Sequence, residues 1–256
     1  MIKFFRRIRQ NLLLQGKTGK YLTYAIGEIF LVMVGILLAL QVNNWNNRRI
    51  EKLKEQAILK NMRVDFKNNI DNLDLAYYSF KEAYQASVVL LEIIKDDKPI
   101  NPSEVEQLID AIVNKPMSID LITGSINEIL NTGSLHLISD PALRKQISNW
   151  SHYFSDTEDD IVIYRAYLFD LYIPSLTEKV RLRNMSVPSY FEDDLELQQI
   201  SRSNFKVDYD KTIRTFEFEN ETFNTSLNYM YVLNSYKVFK NYLTDTLNLI
   251  EANIKE

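Results

Sequence analysis

The chain contains no cysteine. Disulfides, thiolate metal sites and cysteine nucleophiles are excluded with it. Histidine is nearly absent as well. His136 and His152 are the only two, and neither has a second histidine three or four positions away, so no helix offers a paired-imidazole metal site. Glycine and proline number six each in 256 residues, too few punctuators for a turn-rich β fold. The G-x-S-x-G elbow and the H-E-x-x-H helix are missing. Gly16-Lys17-Thr18 imitates the end of a phosphate loop, but Asn11 stands where that loop needs its first glycine and no strand precedes it. The acidic runs Asp156–Asp160 and Glu192–Asp194 lack the alternating spacing of a calcium loop and read as solvated surface or helix starts. Thr123–Ser125 and Thr132–Ser134, each Thr-Gly-Ser, read as helix caps rather than phosphate nests. No catalytic, metal or cofactor site is read from this sequence, and no enzyme is expected.

Apolar and aromatic residues are plentiful, with 15 tyrosines and 13 phenylalanines. From Tyr21 to Val42, 22 residues carry one formal charge, that of Glu28. As a helix they would extend roughly 33 Å, enough for a hydrocarbon core of about 30 Å. Tyr21, Tyr24 and Trp45 lie towards the two ends, where amphipathic rings settle at the membrane interface. The apolar region is longer than a signal-peptide core and no A-x-A-like site follows it, so an uncleaved signal anchor is expected.

Charge is divided unevenly. Residues 1–42 hold six basic residues (Lys3, Arg6, Arg7, Arg9, Lys17, Lys20) against Glu28, a balance of +5. With −4 over the whole chain, the remaining residues carry −9. A basic head on an acidic body argues against nucleic acid as a partner and for anionic lipid headgroups around the head. By the same count the N-terminus is expected in the cytoplasm and residues 43–256 in the periplasm. Residues 1–20 form a basic segment. Ile2, Phe5, Ile8 and Leu12 share one helical face, so it is either a short interfacial helix or an ordinary basic leader to the anchor.

Glu28 asks why a membrane segment should carry a carboxylate. On a helix Glu28, Gly35 and Ala39 share a face, and Gly35 with Ala39 forms a small-xxx-small pair that admits a second helix. One reading places Glu28 in a contact with another helix, in a homo-oligomer or a second membrane protein. The other lets it snorkel to the interface.

Beyond the span, Phe66, Ile70, Leu73, Tyr77, Phe80, Tyr84, Ser87, Leu91 and Ile94 alternate three- and four-residue steps, the repeat of a helix packed along a partner. Ile50, Leu53, Ala57 or Ile58, and Met62 extend it less regularly. With no proline or glycine from Asn43 to Asp97, one helix is expected from the membrane to about Lys95, projecting on the order of 75 Å. Ser103 and Glu106 form a capping box for a short helix to about Asn114. Gly133 reads as a helix stop. Ser139 or Asp140 before Pro141 starts a helix with Leu143, Ile147, Trp150, Phe154, Ile161, Tyr164, Leu168 and Leu171 in register, kinked or ended by Pro174. Residues 184–218 are the least regular. A last helix from about Glu219 to Glu256 carries Leu233, Tyr236, Leu243, Leu247, Ile250 and Ile254. The aromatic stripes read as core. The fold class is all-α: a transmembrane helix, residues 21–42, then an elongated antiparallel helical bundle forming the extracytoplasmic domain, residues 43–256.

"YAIGEIFLVMVGILLALQVNNWN", Tyr24 to Asn46, with its Gly27-Glu28 pair and its Gln41–Trp45 run, resembles the N-terminal signature of an uncharacterised family of single-span membrane proteins of flavobacteria and other Bacteroidota. The resemblance continues in the basic start "MIKFFRRIRQ" and in "LNTGSLHLISDPALRKQI", residues 130–147. It implies a bacterial envelope protein with its N-terminal anchor in the inner membrane, and it implies no activity. The functional expectation is a membrane-anchored helical protein that binds or scaffolds other proteins. The alternative is a sensory or small-ligand-binding bundle that signals through a membrane partner, since about 20 residues would lie inside the cell.

Overall fold

A computed structural model describes residues 18–117, 119–185 and 200–255. The basic head up to Lys17, the phosphate-loop mimic within it, Ser118 and the stretch 186–199 with Glu192–Asp194 lie outside the described residues. All regular structure among those described is helical: α1 (Thr18–Lys95), α2 (Pro102–Asn114), α3 (Gly124–Asn131), α4 (Pro141–Ser148), α5 (Trp150–Tyr167), α6 (Ile173–Leu176), α7 (Tyr209–Ile213) and α8 (Phe216–Asn253). Single 3-10 turns lie at Ser134–Leu137 and Leu182–Asn184. The chain divides into two compact units, Met1–Gln56 and Ala57–Glu256. The first holds the apolar part of α1. The second holds the core.

The core is built on two seams with the same repeat. Along α1 a seam of buried positions runs through Leu59, Met62, Phe66, Asn69, Leu73, Ala76, Phe80, Ala83, Ser87, Leu90 and Ile94. Along α8 one runs through Phe218, Thr222, Thr225, Tyr229, Val232, Tyr236, Phe239, Leu243, Thr246 and Ile250. Steps of three and four alternate without a break, which keeps one face of each helix turned inward over its whole length. The expected repeat is therefore present, but four of its nine positions in α1 shift by one residue. The seam runs through Asn69, Ala76, Ala83 and Leu90 rather than Ile70, Tyr77, Tyr84 and Leu91, which lie half-buried beside it. In α8 it runs through Val232 and Thr246 rather than Leu233 and Leu247. At Ala76 and Ala83 a small residue on the seam lets neighbouring elements approach, and Tyr77 and Tyr84 cover the flank. Three of the hydroxyl residues there are satisfied by their own helix: Ser87 donates to the Tyr84 carbonyl (2.7 Å), Thr225 to that of Glu221 (2.9 Å) and Thr246 to that of Tyr242 (2.7 Å). Ile50 and Leu53 are exposed and not part of the stripe.

Aromatic rings join the elements. Phe80 meets Tyr164, Tyr229 and Tyr236 edge-on, with centroids 5.0, 5.9 and 5.5 Å away. Trp150 packs between Phe66 and Phe239 at 5.6 and 5.7 Å. Such pairs stabilise beyond their buried area by about 0.5–1.5 kcal/mol each. The contacts between α1 and α8 run in opposite order along the two helices: Lys67 with Glu251 (2.7 Å), Asp74 with Lys240 (2.6 Å), Phe80 with Tyr236. Those between α5 and α8 do the same, from Tyr153 stacked on Tyr242 (4.3 Å) to Tyr164 beside Tyr229 (5.4 Å).

Three local expectations are corrected. The α2 cap is Asn101, whose side chain accepts from the Ser103 N–H (3.1 Å), with Pro102 in the first turn. Ser103 and Glu106 form no capping box. The helix begun at Pro141, capped by Asp140 through the Leu143 N–H (2.8 Å), is interrupted at Asn149. Further on, Leu171 is 60% exposed while Tyr172 is fully buried. A π-helical turn at Leu168–Tyr172 explains the exchange. It widens the turn by one residue, so the buried face steps by four through Tyr164, Leu168, Tyr172 and Leu176. Pro174 follows at once. It offers no N–H, and its ring crowds the carbonyl four residues back, which the wider turn accommodates. Gly133, at φ +69, ends α3 as expected, in the left-handed region that glycine adopts without strain.

Candidate functional site

The sequence-predicted site lies on the first turns of α1. Among the described residues one helix is long and apolar enough to cross a membrane, and none of its apolar window is buried inside the chain. Ile29, Phe30, Leu31, Val32, Ile36 and Leu37 are all more than half exposed. A core helix of a water-soluble body would bury such residues, so this exposure fits a single-pass membrane anchor. Glu28, Gly35 and Ala39 fall on one face of α1, because seven and four residues are close to whole numbers of turns. Glu28 is half-exposed and Ala39 exposed. A methyl group added at Gly35 would meet nothing within 4 Å, so no neighbour within this chain demands a glycine there. Trp45 is 64% exposed. Tyr21 and Tyr24 lie in the helical backbone, and their side chains fall outside the described residues.

A second polar site was not legible in the sequence. α2 buries Val105, Ile109 and Ile112, and it also buries Glu106, which is only 4% exposed. Its carboxylate accepts four hydrogen bonds. Oε1 takes the Tyr209 hydroxyl and the Arg181 Nε–H, both at 2.6 Å. Oε2 takes Asn184 Nδ2 at 2.9 Å and Arg202 Nη2 at 3.4 Å. Burial pushes the Glu106 pKa up. The hydrogen bonds from Tyr209, Asn184 and Arg181, with the Arg181 charge, more than reverse this and hold it below the ordinary glutamate value. The partners extend the lock: Arg181 donates to the Phe205 carbonyl (3.2 Å), and Asn184 accepts the Ser203 N–H (2.8 Å). Residues far along the chain are thereby tied to α2. An acid, a tyrosine and an arginine in contact resemble proton-transfer machinery. Here each carboxylate oxygen already takes two donors, and the group is closed to solvent, which suits a structural clamp. The signal was a charge on an apolar helical face, hidden because Glu106 also fitted a capping box.

A third polar feature fixes the linker between α2 and α3. Asn69, fully buried on the α1 seam, donates to the Ile122 carbonyl (2.9 Å) and accepts the Ile122 N–H (2.7 Å). Four turns of the same face contribute: Asp65 accepts the Ser125 N–H (3.2 Å) and Ser79 the Met117 N–H (3.0 Å). Side chains thus replace the ladder that an extended segment otherwise needs. Thr123 and Thr132 occupy the two ends of α3, as cap positions. His136 bonds the Gly133 carbonyl (2.8 Å), His152 faces Asp156 (3.5 Å), and among the described residues no cluster of three His, Cys, Asp or Glu could hold a metal ion. Two cavities, of about 410 and 320 Å³, lie on either side of Ile161 and Arg165.

A family model matches residues 28–181, from Glu28 in the apolar helix to Arg181 in the Glu106 clamp. It is described as a family of unknown function, DUF6090. The chain belongs to the DUF6090 family. Comparison with curated proteins and with solved structures gives no match. Membership in DUF6090 brings no activity with it. It does show that the matched part runs through the apolar helix, the α1 seam and the α5 face together.

Proposed function

We propose that this DUF6090 protein is a single-pass membrane protein of the bacterial envelope whose helical body, an antiparallel bundle, binds or scaffolds other proteins. The N-terminus is cytoplasmic, residues 21–42 of α1 cross the inner membrane, and residues 43–256 are periplasmic. The reading assigns it no catalytic role, no cofactor and no nucleic acid. The observation that carries it is the apolar stretch of α1, unburied by its own chain, with Glu28, Gly35 and Ala39 on one face. A carboxylate in a span is costly in lipid and sits best against protein or water. The open space around Gly35 lets a second helix approach, so we place a second copy or a membrane partner on that face. Trp45, with Tyr21 and Tyr24, anchors the span at the interfaces.

The test is cross-linking in native membranes and affinity purification in mild detergent, for wild type, Glu28→Leu and Gly35→Leu at matched expression. Interhelical polar contacts in membranes contribute about 0.5–2 kcal/mol, so both variants should lose part of the association, the second by steric bulk. Full association of both with every companion would remove the contact and return Glu28 to a snorkelling role. The two cavities beside Arg165 favour a second reading, a ligand-binding bundle that signals through a membrane partner.

A further inference from the structure

The cavity of about 320 Å³ lies where α5 and its π-helical turn face the start of the α2–α3 linker. Its walls are largely apolar: Phe80, Val113, Pro116, Met117, Leu168 and Phe169. Three polar groups line it as well, those of Tyr164, Arg165 and Tyr236. Tyr236 is 1% exposed, and its hydroxyl has no hydrogen-bond partner in the chain. A buried hydroxyl left unmade is uncommon and costs stability. Tyr164 and Tyr229, by contrast, are paired with each other or with the backbone. Arg165 is exposed at the rim, close enough for its charge to favour the ionised forms of both Tyr164 and Tyr236. It carries five N–H donors in a fixed fork suited to a carboxylate.

We propose that this cavity binds a small amphipathic monocarboxylate, with its apolar body against Phe80, Leu168 and Phe169, one carboxylate oxygen accepting from Tyr236 and the charge facing Arg165. An apolar hollow of this size with a few convergent polar groups is the usual form of a small-ligand site. Burial keeps the Tyr236 hydroxyl protonated, so it is a donor and calls for an acceptor. Arg165 is the one cation among the lining residues of both cavities. The neighbouring cavity adds Asp120 and Glu158, which repel a second negative charge and restrict the ligand to one carboxylate at the Tyr236 end. The π-helical turn contributes directly, since it sets Leu168 and Phe169 at the cavity wall just before Pro174.

Octanoate is a suitable probe, water-soluble enough to titrate against the full chain in lipid nanodiscs, with empty nanodiscs as the blank. Calorimetry should give saturable binding of one octanoate per chain. Tyr236→Phe, which removes only the oxygen, should weaken it about tenfold, and Arg165→Gln by tenfold or more. 1-Octanol should bind more weakly than octanoate to wild type, and its affinity should be unchanged by Arg165→Gln. Circular dichroism and melting of each variant separate lost binding from lost fold. Tyr236→Phe should melt no lower than wild type, because the oxygen it lacks had no partner. Absence of saturable octanoate binding, wild-type affinity in both variants, equal affinity for 1-octanol, or a lowered melting point of Tyr236→Phe would each overturn the assignment.

Discussion

Glu106→Ala removes the acceptor at the centre of the α2 clamp, and its cost follows from what is left behind. Tyr209 is 3% exposed and loses the acceptor of its proton at 2.6 Å, while its oxygen still accepts the Arg181 backbone N–H (3.4 Å). Stranding that hydroxyl costs about 1–3 kcal/mol. The Arg181 side chain is 22% exposed and keeps its bond to the Phe205 carbonyl, so water replaces the carboxylate in part, at about 1–2 kcal/mol. Arg202 is 69% exposed and contributes little. The variant should lose about 3 kcal/mol, the low end for breaking a buried ion pair. Glu106→Gln keeps the volume but turns an amide NH₂ towards donors, so its loss should be of similar size. The sign with pH is fixed by the lowered pKa of Glu106. Its stabilisation is fully present above the unfolded value near 4.5 and is lost as pH falls through the folded one. The gap between wild type and Glu106→Gln should therefore be full at pH 7 and close in acid. The assay is urea unfolding, by circular dichroism, of a fragment from Arg48 onward, at pH 7 and in steps down to pH 3. Hydrogen exchange on the same samples should show residues 200–209 opening in the variant before the α1 and α8 seams. A loss below about 1 kcal/mol at pH 7, or a gap that widens in acid, would refute the clamp.

Three further outcomes are expected. Asn69→Ala strands both the N–H and the carbonyl of Ile122 and should cost about 2 kcal/mol in urea unfolding, with early protease cleavage in the linker around residues 117–123. Tyr172, Tyr229 and Tyr236 are held above the ordinary tyrosine value by burial. Their contribution is complete below pH 10 and falls as pH rises towards the folded values, by up to about 1.4 kcal/mol per pH unit for each; a melting point flat from pH 9 to 12 would contradict this. In the membrane, phosphatase fused after Glu256 should be active, and an inactive fusion paired with an active cytoplasmic reporter there would reverse the orientation.

Much of the fold was legible because the signals were local. The uncharged run, the scarcity of proline and glycine, and the alternating three-four repeat all act through the backbone of one segment, and α1, α2 and α8 follow from them within a few residues. Membership in an uncharacterised family was legible too, and the match to DUF6090 begins at Glu28, inside the apolar signature.

What the sequence by itself determined was which segments are helical and which segment is apolar enough for a membrane. Hydrophobic periodicity, caps and breakers are properties of neighbours in the chain. Only the tertiary structure decided which residues of each stripe are central. Ala76 and Thr246 occupy the seams because close approach favours a small or self-satisfied side chain over a larger one. The tertiary structure also made Glu106 a buried clamp and left Tyr236 without a partner. Glu106 meets Tyr209 across 103 residues and Asn69 meets Ile122 across 53. Contacts at such separations leave no periodicity in a sequence, since they depend on which elements fold back against one another.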